Sequence, residues 1–379
     1  MKMFSSALAY IEGKGIVKTD ITFNDKITSI GCDLDGEVIP LEEDAIILPG
    51  FIDCHIHGAG GCDTMDGTKE SLQAFADTLV KEGTTSFLAT TMTQSKDTII
   101  SALKNVNNFI KESKSGAKLL GVHLEGPFIA EKFAGAQPSE YILQPSIEDF
   151  DLFNAASGNN IKIVTVAPEK QGADKLINHL TKLNIVSSVG HSEAGYSDII
   201  NAVNNGASSV THTFNAQSPL HHREIGVAGC ALMMDELNTE IICDGIHVSL
   251  PAISLLLKSK PHDKVTLITD AMRAKGLPDG ESELGGQKVI VKDGSARLTN
   301  GVLAGSILKM NHAIKLLVTK LNIPLTQAVD YATINPAKLL KLESSIGSIN
   351  LNKQADFTVL NKDFEVILTI VNGNIVYKK

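Results

Sequence analysis

No apolar run in this chain approaches the roughly 20 residues that a membrane-spanning helix needs. Positive charge is in deficit, with 34 Lys and Arg against 43 Asp and Glu and a net charge of -9. That excludes a general attraction to nucleic acid or to an anionic membrane. It leaves room for a local cationic pocket that takes an anionic substrate. Cysteine is scarce: the five (Cys32, Cys54, Cys62, Cys230 and Cys243) are odd in number and irregularly spaced. They exclude a disulfide framework and read as reduced thiols of a cytoplasmic protein. Met1 to Tyr10 lacks a small-residue cleavage site and runs into charged sequence, so no signal peptide is expected. Repeats at solenoid spacing and low-complexity segments are also absent.

What remains is material for a large core. The 379 residues, 43% hydrophobic and 20% charged, suit one large α/β barrel with a smaller module. The ends of the chain are β-rich. Gly15–Val17, Ile27–Ile30 and Ala45–Leu48 are followed at the far end by Ala355–Leu360, Val366–Val371 and Ile375–Tyr377. Asn372-Gly373-Asn374 between the last two runs is a strong hairpin signal. The expectation is a small β-sandwich built from residues 1–49 and 347–379.

The middle, 50–346, alternates. Apolar β-type runs end near His57, Ala89, Glu125, Ala167, His191, Phe214, Asp244 and Asp270. Helical patterns lie between many of them, as at Ser71–Lys81, Thr98–Glu112, Ala173–Leu183 and Leu250–Lys258. Such alternation implies parallel strands joined by crossovers, and eight of them close a (β/α)8 TIM-like barrel. Gly285–Leu303 is β-like with a turn at Lys292-Asp293-Gly294 and reads as an insertion. Helices are expected over Ile307–Lys320, over Thr326–Thr333 capped by Thr326, and over Pro336–Leu342 capped by Asn335.

The tails of the β runs carry His55, His57, Glu125, His191, His212 and Asp270. In a strand, residues i and i+2 share a face, so His55 and His57 can present two imidazoles to one cation. Cys54 between them points the other way and is not expected as a ligand. Asp53 continues the His55 face. His123 and Glu125 share a face in the same manner, and the two oxygens of Glu125 can bridge two cations. His123 is expected to support a ligand or face substrate. Either His191 or His212 alone would more often be a satisfied structural residue. Together at successive strand ends, they are hard to explain as core. Asp270 stands where a carboxylate can relay a proton.

The ordered motifs resemble the amidohydrolase superfamily, and within it the family that deacetylates N-acetylglucosamine 6-phosphate. They are Pro49–Gly58, His123–Phe128, Gly190–Ser192, Thr211–Ala216, His221–Glu224, Asp244–His247 and Thr269–Ala271. The resemblance spans nearly the whole chain. It implies a (β/α)8 barrel with a β-sandwich from both termini, a homodimer, and hydrolysis of the N-acetyl group to acetate and glucosamine 6-phosphate. Glu125, His191 and His212 match metal ligands found throughout the family. His55 and His57 match a second position that some members retain. The implied cofactor is one or two divalent metals per subunit. Zinc, iron, manganese and cobalt all suit imidazole and carboxylate donors. Asp270 matches the catalytic acid/base. Asn215, Ala216, Arg223, His247 and the stretch Leu303-Ala304-Gly305 match substrate contacts. Arg223 and His247 would be directed at the phosphate, with such contacts able to cross the dimer interface. Gln137 stands where some members carry a substrate-contacting His, and it can hydrogen-bond without carrying charge.

Three other readings stay open. One is the same reaction on N-acetylgalactosamine 6-phosphate. Another is a cyclic-amide hydrolase of the superfamily, which would need a bridging carboxylated lysine on the fourth strand. Lys162 lies too early in that strand to serve. The third is a metal-free regulatory barrel.

Overall fold

The computed structural model describes every residue except Lys114. The N-terminal segment supplies β1 (Lys2–Ile11), β2 (Gly15–Phe23), β3 (Ile27–Gly31), β4 (Glu37–Val38) and β5 (Ile46–Pro49). The barrel strands then begin with β6 (Phe51–Ile56), after which β7 (Gly58–Ala59) and β8 (Cys62–Asp63) form a two-stranded ribbon. They continue with β9 (Thr84–Thr90), β10 (Lys118–Glu125), β11 (Ile161–Val166), β12 (Val186–Val189), β13 (Ser209–Val210), β14 (Asn238–Ile242) and β15 (Val265–Ile268). A three-stranded insertion follows, β16 (Gly280–Leu284), β17 (Gln287–Lys292) and β18 (Ser295–Leu298), starting somewhat before the expected Gly285. The chain ends in β19 (Phe357–Leu360), β20 (Val366–Val371) and β21 (Asn374–Lys378).

The barrel strands pair in parallel in the order β15-β14-β13-β12-β11-β10-β9-β6. Their residues are buried almost throughout, because helices cover the outer face. Helices α1 (Lys69–Leu79), α2 (Lys96–Glu112) and α3 (Ile147–Ala156) start where Thr68, Ser95 and Ser146 accept a backbone N–H of the first turn. In α4 (Ala173–Lys182) the buried residues Ala173, Leu176, Ile177 and Leu180 form one stripe at helical spacing. The ring continues with α5 (Tyr196–Asn204), α6 (Gly226–Met233), α7 (Leu250–Ser259), α8 (Met310–Leu321), α9 (Leu325–Ala332) and α10 (Ile334–Leu339). Among the described residues no helix is long and apolar enough to cross a membrane.

Between β6 and β15 the barrel is closed by single contacts. The Asp270 N–H donates to the His55 carbonyl at 2.8 Å. The Asp53 carboxylate accepts from the Thr269 N–H at 3.3 Å and the Thr269 hydroxyl at 2.6 Å.

Both ends of the chain share one sheet, ordered β21-β20-β19-β5-β1-β2-β3, with β4 beside β1. Phe23 on β2 and Phe357 on β19 have ring centroids 5.0 Å apart. In a flat sheet three strand spacings would separate them by about 14 Å. The sheet therefore folds over on itself and buries Phe4, Phe23, Ile47, Phe357 and Ile370 between its halves.

Two expected helix caps are corrected. Thr326 lies inside the first turn of α9, whose N-cap is Pro324 with no side-chain cap bond. Asn335 lies inside α10, and its amide instead donates to the carbonyls of His262 and Val265, at 2.7 and 2.8 Å. Buried carbonyls without other donors outcompete a helix terminus for it.

Gly373, at φ +70°, turns the β20–β21 hairpin, and a Cβ there would stand 1.6 Å from the Asn24 carbonyl oxygen. Gly373→Ala is expected to destabilise the fold by more than about 1 kcal/mol. Chemical denaturation measures this, and an unchanged midpoint would contradict the packing described.

Candidate active site

Each of the six strand-end residues lies at or just past the C-terminal end of a barrel strand, the face on which such barrels carry chemistry. His55 is the fifth residue of β6 and Glu125 the last of β10. His191, His212 and Asp270 follow β12, β13 and β15 in left-handed backbone, at φ 47°, 27° and 47°. That conformation is uncommon for residues with a Cβ and here folds each side chain back over the barrel mouth.

Glu125 is the hub. Its Oε1 lies 3.2 Å from His55 Nε2, 3.3 Å from His191 Nε2 and 3.1 Å from His212 Nε2. Its Oε2 lies 3.2 Å from His57 Nε2. Asp270 Oδ1 completes the group at 3.3 Å from His57 Nε2 and 3.5 Å from His55 Nε2. All six side chains are buried.

These residues fit a divalent metal. His191 Nδ1 contacts the Phe133 carbonyl at 2.7 Å. A carbonyl only accepts, so Nδ1 holds the proton and Nε2 of the neutral ring is bare. The same holds for His55, whose Nδ1 lies 3.0 Å from the Glu240 carboxylate. The bare Nε2 atoms of His55 and His191 are aimed at Glu125 Oε1, at 3.2 and 3.3 Å, and such lone pairs repel one another unless a cation lies between them. Three donor sets converge closely enough to hold an ion among the described residues: His55–His57–Glu125 and Glu125–His191–His212 share Glu125, while His55–His123–Glu240 lies behind His55. The electrostatics agree. Burial opposes charge on His57, yet Asp270 and Glu125 push its pKa up to about 9. Burial would raise Asp270, but His55 and His57 hold it down to about 2. A field that strong for protons also favours a cation.

The site opens into a cavity of about 340 Å³, the size of a pocket for one small molecule. Its lining includes His57, Glu125, His191, His212 and Asp270, and from the expected substrate contacts Gln137, Asn215, Ala216, His247, Leu303 and Gly305. Ala304 is a correction. It is fully buried and packs with Met272, Val289 and Ala296 under the insertion, so only its two neighbours reach the cavity. Arg223 is not brought to the cavity of its own chain. It is exposed on a surface hollow with Tyr196, Leu220 and Met233, its guanidinium 2.6 Å from His222 Nε2. Lys162 is absent from the lining, whereas Glu125 is part of it.

Some assignments become sharper. His123 does not face substrate. It is fully buried, its ring 4.4 Å from that of His55, with Nδ1 on the Cys54 carbonyl and Nε2 on Thr165 Oγ1. Burial and the neighbouring His55 lower its pKa to about 4, so it stays neutral. Gln137 holds Glu125: its Nε2 donates to Oε2 at 2.8 Å while its Oε1 accepts the Thr93 N–H at 2.6 Å. Asp244 fixes His247 through Nδ1 at 2.6 Å.

Two residues escaped the sequence reading. Lys132 lines the cavity mouth and carries no motif that marks it. Glu240 is fully buried on β14 and reaches both His55 Nδ1 and, at 3.2 Å, the His212 N–H. Its one mark in the sequence is an acid in the middle of Asn238–Ile242, just ahead of the apolar Ile241-Ile242-Cys243.

Comparison with known proteins gives a consistent picture. The amidohydrolase family profile matches residues 46–376. The N-acetylglucosamine-6-phosphate deacetylase of Bacillus subtilis is 46% identical over 337 residues, covering 88% of this chain and 85% of that protein. The crystal structure of the same-named enzyme from Pasteurella multocida superposes with a TM-score of 0.93 at 32% identity, covering 99% of both chains. A mutant of the Mycobacterium smegmatis deacetylase, in complex with N-acetyl-D-glucosamine-6-phosphate, has a TM-score of 0.92 at 27% identity. It covers 100% of this chain and 99% of that one.

Removing divalent metal with a chelator is expected to lower Tm, because an ion present at 100 times its Kd contributes about 2.7 kcal/mol. Calorimetry with and without chelator checks this; an unchanged Tm counts against a metal at these residues.

Proposed function

The chain belongs to the amidohydrolase family, and we propose that it hydrolyses the N-acetyl group of N-acetylglucosamine 6-phosphate to acetate and glucosamine 6-phosphate. One observation carries the reading. In a cavity sized for one small molecule, the carboxylate of Asp270 and the donor sets around Glu125 face the same space. The family and the named relatives supply the substrate class.

Glu125, His191 and His212 would hold one divalent cation, and His55 and His57 together with Glu125 would hold a second. Zinc, iron, manganese or cobalt suits these donors. The chemistry a bound cation would supply is Lewis acidity, which lowers the pKa of water in its field to near neutrality. Asp270, ionised by its imidazole neighbours, accepts the proton of the attacking water at Oδ1. As the C–N bond breaks it returns that proton to the amine nitrogen, so no net proton stays on the enzyme. Asn215, Ala216, Leu303 and Gly305 surround the sugar, and Gln137 keeps Glu125 in place.

His247 takes the phosphate, assisted by Arg223 of a second copy of the chain. The homodimer is supported by the apolar exposure around Arg223, with Leu220 at 51% and Met233 at 54%. Residues 1–49 and 347–379 are the halves of one module flanking the barrel, supported by the pairing of β5 with β19. Five unpaired thiols support a reducing, cytoplasmic setting.

The direct test is acetate release from N-acetylglucosamine 6-phosphate by purified protein, lost with chelator and restored by a divalent metal; no release sinks the reading. Asp270→Asn is expected to lower kcat at least about 100-fold with bound metal unchanged; near-normal turnover would remove Asp270 from its role. Arg223→Ala should reduce kcat/KM about 10- to 100-fold for the phosphorylated sugar, as for loss of a charge-assisted hydrogen bond, and little for unphosphorylated N-acetylglucosamine. Equal losses on both sugars would argue against phosphate contact.

A further inference from the structure

Glu240 has no part in the reaction just described, yet its position is costly. It is fully buried on β14 with no Lys or Arg in contact among the described residues, and an isolated ionised carboxylate does not persist in a dry interior. Its partners are the imidazole of His55, at 3.0 Å from Oε2, and the His212 N–H, at 3.2 Å from the same oxygen. Its other oxygen makes no hydrogen bond. The His55 ring is thereby divided. Nδ1 faces Glu240, and Nε2 has no hydrogen-bond partner and points at Glu125 and Asp270.

A carboxylate behind an imidazole holds the proton on the nitrogen that faces it, fixes the ring and makes the other nitrogen a better donor to a cation. His57 has no such support, since its Nδ1 is buried without a partner. His55 is thus the one oriented imidazole of the His55–His57–Glu125 set. Charge points the same way. Glu125, Asp270 and Glu240 together outweigh one divalent cation, whereas two cations with a hydroxide come close to balance.

We propose that Glu240 is a positioning residue for the second cation: it presents His55 with Nε2 bare and supplies the buried charge that makes a two-metal centre the loaded state. The inference rests on the two-cation reading above and concerns a residue that touches neither substrate nor metal.

Apoprotein is titrated with cobalt(II) under buffered conditions, and bound metal is measured after gel filtration. The wild type is expected to take up about two ions per chain. Glu240→Gln keeps an acceptor for both N–H groups but loses the charge. It is expected to retain the tighter ion and bind the other about 10- to 100-fold more weakly. Identical titrations of the two proteins, equal weakening of both ions, or a wild type that takes only one ion would each overturn the proposal. A measurement on unmutated protein guards against a variant that fails to fold. Nitrogen NMR of histidine-labelled, zinc-loaded wild type should show His55 as the Nδ1–H tautomer, and Nε2–H would refute it. Acetate release is followed on the same samples. Its absence in the wild type sinks the deacetylase reading, while the cobalt titration still decides the role of Glu240.

Discussion

Closure of the barrel is the constraint on which the site depends. β6 and β15 are more than 200 residues apart in the chain (216 positions separate Asp53 from Thr269), yet Asp53 and the Asp270–His55 backbone bond hold their ends together. Without that seam, His55 and His57 would belong to one edge of an open sheet and Asp270 to the other. With it, Asp270 Oδ1 lies 3.3 Å from His57 Nε2, and two donor sets share the carboxylate of Glu125. Asp53 and two backbone groups therefore fix where the chemistry sits.

The core of the site was legible because the strand rule is local. Period-2 alternation puts His55 and His57 on one face, and the tail of each apolar run marks the barrel mouth. What escaped was tertiary. No spacing rule joins Gln137 to Glu125, or Glu240 to His55 across 185 positions. The assignment of Asn335 as a cap failed for a similar reason, since its amide answers carbonyls near β15. Arg223 sits in a loop whose direction no periodicity encodes. β1 went unread because it is irregular. A register shift between Phe4 and Ala7, with Ser6 at φ 48°, breaks the alternation that marks a strand.

Rigidity accompanies this arrangement. His191, His212 and Asp270 hold left-handed backbone that costs on the order of 1–3 kcal/mol each and persists only where the surroundings enforce it. The surroundings here are hydrogen-bonded rather than greasy. Beneath the site, His123 Nε2, Thr165, Thr211 and Ser188 form a chain of side-chain bonds at 2.7–2.9 Å. The floor under His55 is thus a fixed polar lattice, and replacing any link with an apolar residue of like size leaves buried partners unmatched.

The shared sheet of the two termini also has a temporal consequence. β5 lies between β1 and β19, and β19 begins only at Phe357. At about 5–20 residues per second, a ribosome needs roughly 15–60 s after making β5 to deliver its neighbour. During that interval the N-terminal strands present a bare edge, the kind of surface on which nascent chains misassociate. Every barrel strand is thus synthesised before β5 can find its last partner.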